Sequence, residues 1–335
     1  MEPRFIDRVT EISWLRDWSS SFRYVPLYIY GPEGCGKTRL LREFVARFSN
    51  YFGDDGVAVY VDATEGVDLN RALLTSPNIE LAMDVVRELI SGFIGEGIGR
   101  ALARVVTLII ERAVRGRFES RYVLIAVDDV ARSMGLGNIE WYIKWLYEYM
   151  QRFMGEYGPR AINIVATTSE GESLRALHRH NYLAIRLIWN LDEGSFRELY
   201  EDLNPPGWLD FNEVWLMQGG NPRALWELAR AFNWDLRAYR ESITRRLAPI
   251  IDEVRGRGLT RELNEVIEDP DVIHEKPTTR LIELSDVLTR NNLIIYKWTE
   301  AIGGVRVPKN PELGIGEYYA WQLPIYREVA RQVLS

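Results

Sequence analysis

Gly31-Pro32-Glu33-Gly34-Cys35-Gly36-Lys37-Thr38 fits the pattern Gly-x-x-x-x-Gly-Lys-Thr. These residue types suit a phosphate cradle. Glycines let backbone N–H groups curl around phosphate oxygens without a Cβ in the way, and a helix starting at Lys37 adds positive potential. Lys37 can reach the β- and γ-phosphates, the Thr38 hydroxyl suits Mg²⁺, and Arg39 follows on the first turn. The loop therefore implies ATP or ADP with Mg²⁺. Cys35 reads as a small space-filler inside the loop.

A second chemical element lies about ninety residues on. The apolar run Val123-Leu124-Ile125-Ala126-Val127 delivers Asp128-Asp129 at its end. One carboxylate there holds Mg²⁺ through water, the role expected of Asp128, while Asp129 sits where a base polarises an attacking water. Glutamate is usual at the second position, so the shorter aspartate points to slow turnover. Thr167-Thr168-Ser169 closes a further apolar strand, and Thr168 is the expected contact to the γ-phosphate or to its water.

The elements that must position these groups follow from periodicity. Leu27 to Tyr30, Val57 to Val61, Tyr122 to Val127, Ala161 to Ala166 and Leu183 to Ile188 read as strands separated by helical patterns. That alternation predicts an α/β fold, a parallel sheet with helices on both faces. Phe5 to Trp18 and Thr38 to Phe48 carry helical spacing, and 66–120 reads as a mostly helical insertion. Within it, Gly92, Gly95, Gly97 and Gly99 lack a preceding strand and suit close helix packing better than a nucleotide fingerprint. Helices are expected over 191–234, broken at Asn204-Pro205-Pro206-Gly207 and Gly219-Gly220-Asn221-Pro222, then near 238–255, 259–268 and 280–290. Leu293 to Tyr296 and Tyr318 to Trp321 suggest a hairpin, so the last third reads as a winged helix. Trp141 and Trp145, four apart on a helix, read as core.

Beyond these single elements, the chain resembles the archaeal ATPase family of the STAND branch of AAA+ P-loop ATPases, relatives of the Orc/Cdc6 initiators. The resemblance rests on Phe5-Ile6-Asp7-Arg8-Val9-Thr10-Glu11-Ile12, the P-loop, Asp128-Asp129, Gly219-Gly220-Asn221-Pro222-Arg223-Ala224-Leu225 and the closing Trp321-Gln322-Leu323-Pro324-Ile325-Tyr326-Arg327-Glu328. It implies that the Arg8 segment and the turn at Pro222 border the adenine, and that Arg223 senses phosphate from the lid. An arginine suits that task because its planar donors match phosphate oxygens. Three units are expected: an ATPase core over 1–190, a helical lid over 191–241 and a winged helix over 242–335.

Composition narrows the remaining classes. With 335 residues, 47% hydrophobic and 27% charged, the chain suits an ordinary soluble protein of more than one domain. No leader-like start is seen, and Leu89 to Ile110 is interrupted by Glu96, Arg100 and Arg104, so a cytoplasmic protein without a membrane span is expected. One cysteine forms no internal disulfide, and His178, His180 and His274 with it make no usual zinc site. From Trp234 onward 15 basic residues face 16 acidic ones, a balance that favours a protein partner through the winged helix over duplex DNA. Arg245, Arg246, Arg255, Arg257 and Arg261 still form a local basic cluster, which keeps open an alternative: a DNA-binding adaptor in which nucleotide is mainly structural.

Overall fold

The computed structural model describes residues 4–62, 73–75, 121–129, 139–168, 174 and 177–334. The insertion apart from 73–75, including the four glycines and Leu89 to Ile110, lies outside the described residues.

Helix α1 (Val9–Ser19) precedes β1 (Leu27–Tyr30), the P-loop and α2 (Lys37–Ala46). The helical run expected to Phe48 breaks at Arg47, and a short α3 (Phe48–Phe52) follows. Then come β2 (Gly56–Asp62), β3 (Leu73–Thr75), β4 (Tyr122–Asp128), α4 (Ile139–Tyr157), β5 (Ala161–Thr168) and β6 (Ala184–Leu187). The six strands form one sheet in the order β3-β2-β4-β5-β1-β6.

All pairings are parallel except β2 with β3, where Val59 faces Thr75 and Val61 faces Leu73 in antiparallel register. The sheet is thus mixed rather than wholly parallel, and part of the segment expected to be helical is an edge strand. An antiparallel edge is compatible with a parallel sheet because only one neighbour sets its direction.

Alternation along the strands assigns the two faces. Tyr28, Val59, Val61, Ile125, Val127 and Ile164 pack toward α4, while Leu27, Ile29, Tyr60, Leu124, Ala126 and Val165 pack toward α1 and α2. Both faces are dry, so the polar strand ends are the places left for chemistry. On α4, Trp145 stacks between Tyr142 and Tyr149, but Trp141 is 48% exposed and does not join the core.

The rest of the chain is helical: α5 (Glu193–Asp202), α6 (Phe211–Gln218), α7 (Pro222–Arg230), α8 (Leu236–Gly256), α9 (Thr260–Glu268), α10 (Val272–Glu275) and α11 (Thr279–Arg290). An antiparallel pair, β7 (Ile294–Tyr296) with β8 (Tyr319–Trp321), leads to α12 (Pro324–Leu334). Helix α8 runs through the expected division at 241/242. Its buried Tyr239 and Ile243 belong to the same core as α5 to α7 and α12, because its apolar stripe continues without interruption. Helix α12 was not anticipated, although Pro324 at its start and Ile325, Tyr326, Val329 and Ala330 at helical spacing carry the signal. Among the described residues no helix is long and apolar enough to cross a membrane.

The connection between β7 and β8 packs on the edge of the six-stranded sheet. Ile302 donates its N–H to Leu187 O at 2.8 Å, and Leu187 donates to Glu300 O at 3.0 Å. The edge strand β6 is thereby extended by the C-terminal region of the same chain.

Candidate nucleotide site

The P-loop turns sharply out of β1 because Gly34 and Gly36 hold φ of +83° and +102°, a region that favours glycine. A Cβ on Gly34 would lie 2.6 Å from Arg223 Cβ and 2.7 Å from Asn221 Oδ1, so the α7 start presses directly on the loop. Lys37 is 6% exposed, and its ammonium donates to the carbonyls of Gly31 at 2.9 Å and Pro32 at 3.0 Å. The amine therefore lies within the curl of its own loop. Cys35 is wholly buried under the loop among the α1 and α2 side chains; only its backbone belongs to the cavity.

Asp128 ends β4, 2% exposed. Tyr60 Oη donates to its Oδ2 at 2.8 Å, and the Thr167 hydroxyl donates to Oδ1. Burial pushes the Asp128 pKa up, the hydroxyls of Thr167, Thr38 and Tyr60 pull it back, and neighbouring Asp129 adds to the rise. Asp129 has a left-handed φ of 50° and donates its N–H to Thr167 Oγ1 at 3.0 Å. That turn brings Asp129 to the cavity wall. Thr168, the expected phosphate contact, is 2% exposed beside Tyr30 and is not on the cavity wall. Its neighbour Thr167 is the one that touches Asp128 and Asp129, since alternation along β5 points successive side chains oppositely.

The loop is also held from outside. Asn221 caps α7 by accepting from Ala224 N at 3.0 Å, and its amide donates to Glu33 O and to Asn190 Oδ1, both at 2.9 Å. Glu33 N–H donates to Gln322 Oε1 at 2.8 Å, so the segment before α12 reaches the phosphate loop. Arg223 pairs with Glu33 at 3.0 Å while remaining 67% exposed. Arg8, 6% exposed with a left-handed φ of 69°, donates to Cys35 O at 2.8 Å and Trp189 O at 2.7 Å and pairs with Glu11 at 2.6 Å. Arg8 thus clamps α1 to the loop and to the exit of β6.

These residues bound a cavity of about 670 Å³. Its wall combines the cradle from Glu33 to Arg39 and Asp129 with the apolar side chains of Phe5, Ile6, Leu191, Leu199, Pro222 and Trp226. Six cations (Arg4, Arg8, Lys37, Arg39, Arg42, Arg223) and three acids (Glu33, Glu43, Asp129) lie on its wall, a balance suited to a polyanion. Periodicity and motif spacing did not single out Tyr60, Asn190, Leu191, Leu199, Trp226 or Gln322. Leu191 and Leu199 carried only the signal of helix core, and Tyr60 was one residue of an apolar strand.

A glycine-rich turn from a parallel strand into a helix, with a second strand ending in carboxylates two positions across the sheet, defines a P-loop ATPase domain. The chain belongs to the family of ATPase domains found predominantly in Archaea, whose profile matches residues 5–228. Among solved structures the chain is similar to the Aeropyrum pernix ORC2 protein, solved as ADPNP–ADP complexes, at 15% identity and a TM-score of 0.44 over 86% of this chain and 81% of that one. No curated protein matches the chain.

Proposed function

We propose that this protein binds and hydrolyses ATP with Mg²⁺ and uses the nucleotide to change how its lid and C-terminal region sit on the core. The observation that carries this reading is the convergence of the Lys37 loop, Thr38 and Asp129 on the wall of a cationic cavity that also has apolar lining, with the Asp128 carboxylate buried beside Asp129. Triphosphate lies in the cradle from Gly31 to Arg39, and the base lies toward Phe5, Leu191, Pro222 and Trp226. The oxygen donors of Thr38 and Asp128 fit a hard divalent cation. Mg²⁺ held there by Thr38 directly and by Asp128 through water would neutralise charge on the β- and γ-phosphate oxygens.

Lys37 exchanges its bonds to Gly31 and Pro32 for phosphate oxygens. Asp129, on the cavity wall, accepts a proton from the attacking water as its oxygen bonds the γ-phosphorus and the bond to the β-phosphate bridging oxygen breaks. ADP leaves with that oxygen, and the proton on Asp129 passes to solvent or phosphate. Thr167, rather than Thr168, orients the two carboxylates. Arg223 reports the loop to the lid through Glu33, and Gln322 reports it to the C-terminal region.

We read the helices α9 to α11 with the β7–β8 pair as a winged-helix module that docks a protein partner. Duplex DNA is disfavoured on charge. Arg245, Arg255, Arg257 and Arg261 each lie within 4.0 Å of an acidic side chain, and Arg246 is bonded to the Tyr326 hydroxyl. The stretch Ser285 to Arg290, considered as a recognition helix, has Ser285, Val287, Leu288 and Thr289 buried, and Arg290 pairs with Glu253 at 2.8 Å. Few free cations remain to release counterions.

Calorimetric titration of Lys37→Ala tests the assignment. ATP affinity should fall at least tenfold, about 1.4 kcal/mol, with the fold intact; an unchanged affinity would overturn it. Asp129→Asn should keep ATP and lose at least a hundredfold in turnover, and normal turnover would displace Asp129 as the base.

A further inference from the structure

We propose that Tyr60, on a strand that carries neither the P-loop nor the acidic pair, is the positioning residue that fixes Asp128 for metal binding. The inference rests on the reading of Asp128 as the metal-holding carboxylate.

Strand β2 runs parallel to β4 with Asp62 opposite Asp128 and Tyr60 opposite Ala126. The phenol spans that two-residue offset, and its hydroxyl meets Asp128 Oδ2 at 2.8 Å. Its ring is wholly buried, and the Arg42 guanidinium lies 5.3 Å from the ring centroid. The donor is therefore held by packing before any ligand arrives.

The other two hydroxyls near Asp128 have competing duties. Thr38 has its oxygen committed to the metal in that reading and makes no hydrogen bond to Asp128 within the usual distance. Thr167 divides its oxygen between Asp128 and the N–H of Asp129. Tyr60 has no second acceptor among its described hydrogen bonds. Tyr60 therefore occupies Oδ2 and keeps the carboxylate plane in one orientation. Groups that orient a metal-holding residue in this way change metal affinity or activity by about 10- to 100-fold when removed.

Tyr60→Phe keeps the ring and removes only the donor. The probe is Mn²⁺ titrated into the full-length protein saturated with ADP, read by electron paramagnetic resonance, alongside ADP affinity in EDTA. Mn²⁺ should bind at least tenfold more weakly to the variant, while metal-free ADP affinity stays within about twofold. In an Asp128→Asn background the same substitution should add nothing, since the effect passes through that carboxylate. Mn²⁺ affinity within twofold of the native protein would reduce Tyr60 to a packed ring and overturn the proposal. A parallel loss of metal-free ADP affinity would do the same by making the role structural. Failure of the native protein to bind ADP at all would bring down the nucleotide reading and this inference together.

Discussion

Two buried aspartates, one on the large sheet and one in the C-terminal region, are treated in opposite ways. Asp128 at the end of β4 accepts from two hydroxyls, of Tyr60 and Thr167, and that of Thr38 also lowers its pKa. Asp271, between α9 and α10, accepts from the backbone N–H groups of Glu317 at 2.6 Å, Tyr318 at 2.8 Å and Tyr319 at 3.1 Å, and from the Lys309 ammonium at 3.2 Å. Burial raises both pKa values. At Asp271 the N–H donors and Lys309 outweigh it and the pKa falls below its ordinary value, whereas at Asp128 burial wins. The partners differ in kind as well as number. N–H groups and an ammonium only donate, so they fit an anion and nothing else, while a hydroxyl can also accept and can turn away. Asp271 is a fixed anchor for the turn before β8; Asp128 is a carboxylate whose surroundings can rearrange around a metal.

Replacement of Asp271 should give the largest effect. Asp271→Ala leaves three backbone donors and Lys309 facing a void, and it should cost about 3–5 kcal/mol of stability, the range for losing one partner of a buried charged cluster. Differential scanning calorimetry measures this, and a loss under about 1 kcal/mol would break the comparison from the structural side. Asp128→Asn should leave stability nearly unchanged, because the hydroxyls of Tyr60 and Thr167 can reorient around an amide. It should cut hydrolysis at least a hundredfold, about 2.7 kcal/mol of barrier, and weaken the dependence on Mg²⁺. Destabilisation as large as that of Asp271→Ala would erase the distinction between the two sites.

A smaller effect is expected where the two regions meet. Gln322→Ala removes the acceptor of Glu33 N–H from the edge of the phosphate loop, at about 1 kcal/mol for a single neutral hydrogen bond. ADP affinity should drop by about fivefold and protection of the α12 backbone from hydrogen exchange should no longer respond to nucleotide. Retention of that response would assign the coupling to Arg223 and the lid alone.

The same contrast separates what the chain spelled out from what it did not. Glycines with a following Lys-Thr, an apolar strand ending in Asp128-Asp129, and an Asn-Pro helix start at Asn221-Pro222 are local signals, and β1, β2, β4, β5 and β6 fall within a residue or two of their expected spans. Tyr60, Asn190 and Gln322 act through partners 68, 31 and 289 positions away. No spacing rule encodes such contacts, because they depend on strand register and on how α8 and α12 pack. Asp271 was equally silent, one acid among many until the β8 turn folded over it. The division expected at 241/242 falls inside α8, whose buried stripe runs across it.

The subtlest expected difference lies in pH dependence, where the two aspartates should bend the stability curve in opposite senses. A carboxylate whose folded pKa lies below its unfolded value near 3.8 contributes stability above that value and loses it as pH falls through the folded pKa. The stability difference between native protein and Asp271→Asn should therefore stay full from neutrality down to about pH 4 and shrink only below it. Asp128 has a folded pKa raised above 3.8. Between the unfolded and folded values the native state binds more protons than the unfolded state, so stability falls as pH rises through that window. Asp128→Asn removes that dependence, so any advantage of the variant at neutral pH should fade as the pH drops toward 3.8. Thermal unfolding of the native protein and both variants in steps from pH 7 to pH 3 resolves the two windows. An Asp271→Asn difference that already shrinks between pH 7 and pH 5 would mean that burial, not the N–H cluster, governs Asp271, and the two sites would then be alike.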